Sequence, residues 1–199
     1  MRAMWLNPGA GLLLLASGAP ALAGTLLKNG SFEKPVVPDG NYTRFSVGQK
    51  IGAWTVTGVG NVDVMSTNFV YFGFHFPARL GAQWLDLTGC CGGNRTGVKQ
   101  TIDTVSGATY DISLFVGSQY TPTGNLGIDS TVDVYVNGVQ IAAFVAKGKK
   151  DSDTQVWRKF STQFVAQGAQ STIEFMNGDP SNDTDNGIDG VTVTLVDAP

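Results

Sequence analysis

Apolar and polar residues alternate with a period of two in a series of short runs, and Gly- and Asn-rich breaks separate them. The runs are "WTVTG" from Trp54, "NVDVM" from Asn61, "AQWLDLTG" from Ala82, "VKQTI" from Val98 and "TYDISLFVG" from Thr109. "TVDVYVNGVQIAAFV" from Thr131, "VWRKFSTQFVA" from Val156, "STIEFM" from Ser171 and "IDGVTVTLV" from Ile188 complete the series. This period puts successive side chains on opposite faces of a strand. Asn137-Gly138 stands between two alternating runs, and both residue types tolerate positive φ, so the pair predicts a tight hairpin. No segment carries a sustained helical period with caps. Many short strands in one domain predict an all-β fold of two packed antiparallel sheets, a β-sandwich. The expected irregular stretches are 36–50, 66–81, 119–130 and 177–187.

Residues 1–23 break the pattern. Arg2 precedes a short apolar run at 12–16, and Ala21-Leu22-Ala23 closes the segment as a small-x-small cleavage signal. That order predicts a secretory signal peptide, and the run is shorter than the roughly 20 residues of a membrane span. Residues 24–199 are then one exported domain, extracellular, periplasmic or held at the cell surface. No later stretch is apolar enough to insert in a membrane. The chain stops at "LVDAP" without a spacer, apolar span or basic end, so a released protein is expected unless an anchor lies outside this sequence. Composition agrees with an exported β protein: 26 Gly and 15% charged residues disfavour helices. The net charge of −3 offers no basic footprint for nucleic acid.

Two stretches bracket the domain. "NGSFE" opens it with a turn at Asn29-Gly30, after which Phe32 and Glu33 point to opposite sides. "GIDGVTV" opens the last strand with Asp189. "LLKNGSFEKPVV", "IGAWTVTGVGNVDVM", "GAQWLDLTG", "VKQTIDTVSGATYDISLFVG" and "FMNGDPSNDTDNGIDGVTVTLV" follow in this order over nearly all of the exported chain. The set resembles the galactose-binding-like jelly rolls, which include many carbohydrate-binding modules. More narrowly it resembles the secreted domain-of-unknown-function family 642 and the bacterial choice-of-anchor C domains.

The resemblance implies a structural calcium ion where the first and last strands meet. Its ligands by position are Glu33 and Asp189, with the Ser31 carbonyl. Calcium takes six to eight oxygen ligands, and an ion joining both ends of the chain would add its binding energy to folding. Asp179, Asp183 and Asp185 crowd the loop before the last strand. The twelve-residue spacing and terminal Glu of an EF-hand are missing, so Asp179 and Asp183 read as a solvated turn. Asp185 stands near enough to Asp189 in sequence to share its site.

Cys90 and Cys91 are adjacent. With Cα atoms about 3.8 Å apart they cannot staple two distant strands. A vicinal disulfide, a bond between molecules and two thiols are the open states, and the flanking glycines permit the backbone that the first needs. Count and spacing exclude a CxxC redox motif or a zinc site.

"NFVYFGFHFPARLGAQW" is the densest aromatic segment. Tyr71, Phe74, His75 and Arg79, with Tyr120 from another loop, are the expected ligand contacts, because sugar rings stack on aromatic faces while polar groups fix the hydroxyls. Trp54 and Trp84 lie in alternating runs and are expected in the core. There is no Gly-x-Ser-x-Gly elbow and no HExxH, and His75 is the lone histidine. The expected function is therefore non-catalytic: a calcium-stabilised carbohydrate-binding module acting on cell-wall or extracellular polysaccharide. The alternative is a structural or adhesive matrix protein that binds other proteins. A carboxylate pair across an open cleft would instead revive an enzyme.

Overall fold

The computed structural model describes residues 24–90, 94–121, 126–180 and 185–198. The expected leader, Cys91 and Asp183 lie outside the described residues, and with them the Cys90–Cys91 pairing. The described residues form strands and turns with no helix among them.

In chain order the strands are β1 (Tyr42–Ser46), β2 (Lys50–Ile51), β3 (Trp54–Gly58), β4 (Asn61–Ser66), β5 (Val70–Tyr71), β6 (Phe74–His75) and β7 (Gln83–Asp86). There follow β8 (Thr96–Asp103), β9 (Thr109–Ser118), β10 (Asp129–Val136), β11 (Val139–Lys147), β12 (Val156–Val165), β13 (Gln170–Asn177) and β14 (Gly187–Asp197). The first sheet runs β1-β4-β7-β14-β9-β12 and the second β11-β10-β13-β8-β3-β2, while β5 and β6 form a separate hairpin. Strand pairing within the sheets is antiparallel. This is the all-β jelly-roll sandwich that the alternation predicts.

Each sheet turns one apolar row inward. Val62, Val64, Leu85, Ile112, Leu114 and Ile188 of the first meet Trp54, Val56, Val98, Val134, Ile173 and Phe175 of the second, all buried. Phe32 seals one end: it is wholly buried, with its ring centroid 5.7 Å from that of Trp54. The indole N–H of Trp54 donates to the Asn29 carbonyl at 2.9 Å. Asn137 (φ 51°) and Gly138 (φ 79°) make the predicted β10–β11 turn.

The last strand is central, between β7 and β9. The opening segment runs beside it: the Leu26 amide donates to the Val193 carbonyl at 2.8 Å and the Val191 amide to the Gly30 carbonyl at 2.9 Å. A Cβ at Gly30 would stand 2.1 Å from the Val191 carbonyl oxygen, so only glycine permits this approach. Two stretches expected to be irregular hold strands. "YTRFS" forms the edge strand β1, and the aromatic segment folds into β5–β6. Both escape the period-two test because they carry few inward apolar residues or only two residues per strand.

Candidate functional site

Register aligns a row of residues across the first sheet. Arg44 on β1 faces Asp63 on β4, and Asp63 faces Asp86 on β7. The row continues through Gly187 on β14 and Gly117 on β9 to Trp157 on β12. Directly paired residues share a face. Since Val62, Val64, Leu85 and Ile188 between them point into the core, this row lies on the outer face. Tyr42, Met65 and Trp84 form the next row on the same face. A Cβ at Gly187 would come within 3.0 Å of the Trp84 ring and 3.1 Å of the Trp157 ring. The bare backbone thus leaves room for both indoles, which pack edge to face with centroids 5.9 Å apart.

The β5–β6 hairpin folds over this face. Phe76 joins Met65, Trp84 and Leu126 in a second, smaller apolar cluster, with Phe69, Phe74, Ala78 and Trp157 packed against it. The indole N–H groups of Trp84 and Trp157 donate to the Phe76 and Pro77 carbonyls at 2.9 and 2.8 Å. Between the hairpin and the sheet lies a cleft of about 310 Å³. One wall is aromatic. Phe69 stacks on Tyr71 at 6.4 Å, meets Tyr42 edge-on at 5.9 Å and reaches Phe76 at 5.8 Å; Phe76 in turn stacks on Trp84 at 6.3 Å. The other wall carries Arg44, Asp63, Asp86 and Asp185.

The carboxylates are not equivalent. Arg44 grips Asp63 through both oxygens, Nε to Oδ1 at 2.9 Å and Nη2 to Oδ2 at 2.8 Å, and this pairing raises the Arg44 pKa. Asp86 accepts instead from the amide and hydroxyl of Thr88, at 2.8 and 2.6 Å. Burial pushes the Asp86 carboxyl up to about 7; the charge of Asp63 adds to the rise, and the Thr88 bonds oppose it. Asp185 accepts from the Gln119 amide at 2.5 Å. The buried Gln119 and Gln155 point their amide nitrogens at backbone carbonyls, and among the described residues the Oε1 of each meets no donor. The cleft therefore offers a guanidinium paired to a carboxylate group, a second carboxyl with a raised pKa and a set of rings. Such a mixture suits a ligand with apolar ring faces and many hydroxyls.

A second carboxylate pair lies where the chain ends meet. Glu33 Oε1 accepts from the Ala82 and Gln83 amides, both at 3.0 Å. Asp189 Oδ2 accepts from the Arg79 and Leu80 amides at 2.9 and 2.8 Å, and its Oδ1 from Gly190 at 2.6 Å. The two acids thus clamp one turn from both sides. Asp189 is wholly buried, and burial, joined by the charge of Glu33, raises its pKa to about 7 against the pull of those amides. Neither acid is in an ion pair among the described residues. The Arg79 guanidinium lies 4.7 Å over the Phe115 ring instead. A pair of carboxyl groups, Asp189 buried and Glu33 half-buried, with no side-chain cation paired to either among the described residues, offers the oxygen donors that a calcium ion takes. Among the described residues no three His, Cys, Asp or Glu side chains gather as a metal site, so carbonyls such as that of Ser31, in the same turn as Glu33, and water would supply the other ligands.

The expected residues divide accordingly. Glu33 and Asp189 come together. Asp185 does not join them; four residues of extended chain, roughly 13 Å, separate it from Asp189, and it lines the cleft. Of the expected ligand contacts, Tyr71 lines the cleft, and Phe74, His75, Arg79 and Tyr120 do not. Phe74 packs into the small cluster. His75 bonds through its backbone to Asp153 and Gln155, and its side chain is exposed away from the cleft lining. Tyr120 packs against Gly148. Trp84 is buried as expected, yet it belongs to the outer cluster and forms the cleft wall. Cys90 lines the cleft mouth, where its amide donates to Asn61 Oδ1 at 2.9 Å.

The family described as "Protein of unknown function (DUF642)" matches residues 25–194. The chain belongs to that family. No curated protein matches it. Among solved structures, this DUF642 chain is similar to a Stig cyclase from Fischerella sp. TAU in complex with (3Z)-3-(1-methyl-2-pyrrolidinylidene)-3H-indole. The TM-score is 0.63 at 16% identity, covering 88% of this chain and 98% of that one. It is also similar to the CBM22-1-CBM22-2 tandem domain of Paenibacillus barcinonensis Xyn10C, with a TM-score of 0.54 at 21% identity, covering 91% of this chain and 48% of that one. At these identities the likeness is one of fold: the DUF642 chain has the jelly roll of carbohydrate-binding modules, and an enzyme shares it.

Proposed function

We propose that this protein is a non-catalytic glycan-binding module that works outside the cytoplasm on cell-wall or extracellular polysaccharide, with a structural calcium ion at Glu33 and Asp189. The observation that carries this reading is the outer-face cleft, in which Tyr71, Phe69 and Trp84 face Arg44, Asp63 and Asp86. A pyranose has apolar faces for the rings and hydroxyls for the charged row. The carbohydrate-binding modules that share the fold lend support.

A second reading rests on the carboxylate pair. Asp63 is tied to Arg44 through both oxygens, while burial raises the Asp86 carboxyl to about 7. A buried carboxyl with a raised pKa in a cleft is how general acids are built. Here Asp86 would donate a proton to a ligand in the cleft.

One experiment tests both. The purified protein is passed over insoluble polysaccharides with calcium and with a chelator, and the eluate is analysed for cleaved sugar. Retention without cleavage, lost in Tyr71→Ala, supports the binding module. Cleavage that disappears in Asp86→Asn supports the enzyme. Retention on no glycan, with a melting temperature that still falls in chelator, transfers the protein to the matrix or adhesion class.

A further inference from the structure

The outer face of the second sheet carries a feature that the cleft does not explain. Lys50 on β2 is the register partner of Thr55 on β3, and Thr55 is that of Lys99 on β8. Two strand spacings, about 10 Å, separate the two lysine positions. Lys50 Nζ donates to the Thr55 hydroxyl at 2.6 Å. Lys28 comes in from the opening segment. Gln100 fixes its backbone from both sides, accepting from the Lys28 amide at 2.8 Å and donating to its carbonyl at 3.0 Å. The three lysines meet around a groove of about 560 Å³, and among the described residues none of them is in an ion pair. Glu174 is the other register partner of Lys99, but no ion pair joins them.

Three unpaired cations in one groove are out of character for a chain of net charge −3. Like charges on neighbouring strands repel, and an anion between them would remove that cost. The rest of the lining narrows the anion. Thr101 and Thr172, joined hydroxyl to hydroxyl at 2.8 Å, and Asp103 stand in the same groove. No aromatic ring lines the groove for nucleic-acid bases to stack on, and Thr101, Thr172 and Asp103 offer partners to ligand hydroxyls. A ligand bearing both carboxylates and hydroxyls satisfies the lysines and Asp103 together.

We propose that this groove is a second binding site, for a carboxylate-bearing (uronate) polysaccharide, with Lys28, Lys50 and Lys99 pairing its carboxylates. The inference rests on the reading of the protein as a glycan binder, but it does not use the cleft of the first sheet.

The test is affinity electrophoresis of the purified protein in polygalacturonate, in its methyl ester and in DNA, at about 50 and about 300 mM salt. The expected result is retardation by polygalacturonate that weakens with salt and is absent in the methyl ester. Lys50→Gln and Lys99→Gln should each weaken it by about threefold to tenfold. Both side chains are exposed, so the melting temperature should hold. Tyr71→Ala should leave this binding intact, and if neutral glycans fail at the cleft while polygalacturonate still binds, only the cleft reading falls. Equal retardation by the methyl ester, or no effect of either lysine substitution, overturns the groove. Equal, equally salt-sensitive retardation by DNA overturns the assignment to a polysaccharide.

Discussion

Asp63 and Asp86 are register partners on neighbouring strands, yet Arg44 holds Asp63 through both oxygens while Asp86 is bonded to Thr88. The division has a direct consequence for stability. The Asp86 carboxyl titrates near 7 in the fold and near 3.9 in an unfolded chain. Between these values the native state keeps a proton that the unfolded chain has released. That contribution is complete below about pH 4 and is lost as pH rises through about 7. Without added metal, the melting temperature should therefore fall from pH 5 to pH 8. Asp86→Asn keeps the acceptor oxygen for Thr88 and removes the titration, so it should flatten the fall and be the more stable form at pH 8. Thermal melts across that range check this; identical slopes for the two proteins would show that Asp86 ionises as an ordinary carboxylate.

Asp189 has the same sign of linkage, since its carboxyl also titrates near 7, but a cation would reverse it. Calcium binds the ionised form and so competes with the proton. At pH 7.5, millimolar calcium should raise the melting temperature, by an amount that grows with the logarithm of its concentration. Glu33→Gln and Asp189→Asn should each remove the effect. Calorimetry with and without chelator reads it. A melting temperature indifferent to calcium would leave the pair held by the amides of Arg79, Leu80, Ala82, Gln83 and Gly190.

The junction of the chain ends makes a steric prediction. A methyl group at Gly30 would meet the Val191 carbonyl oxygen at 2.1 Å, and both are backbone, so neither can turn away. Gly30→Ala should cost about 3 kcal/mol or more, at the upper end for overpacking. At Gly187 the obstacles are the Trp84 and Trp157 rings at 3.0 to 3.1 Å, which can shift by tenths of an ångström, so Gly187→Ala should cost about 1 kcal/mol. Urea denaturation of the two variants compares them directly.

The sandwich was legible because its core faces alternate cleanly, as in β9 and β13. The pairing of Glu33 with Asp189 was legible through the family resemblance of the two stretches that hold them. The cleft was not. "QWLD" is buried at every position because the sheet carries the main core on one face and the hairpin cluster on the other. Alternation alone does not say that Trp84 belongs to the second. Arg44 lies on a five-residue edge strand with a single inward aromatic, Phe45, too little pattern to separate from a loop. Asp63 and Asp86 are partners only through a long-range register. Phe74, His75 and Tyr71 are neighbours in sequence, but the two-residue strands of the hairpin turn only Tyr71 toward the cleft.

That hairpin sets the last prediction. Tyr71 is 47% exposed and Phe72, beside it at the tip, 83%; their ring centroids lie 4.4 Å apart. Little packing is lost when either is cut back, so Tyr71→Ala and Phe72→Ala should leave the melting temperature within about 1 °C, as expected of surface substitutions. Trp84 is 1% exposed and holds the hairpin to the sheet through Phe76. Trp84→Ala should cost about 3 to 5 kcal/mol and abolish glycan retention by releasing the whole wall. Of the two tip residues only Tyr71 lines the cleft, so Tyr71→Ala should weaken retention while Phe72→Ala spares it. Retention assays and melts on the three variants separate the cases. Equal losses from Tyr71→Ala and Phe72→Ala would move the contact surface from the cleft to the hairpin tip.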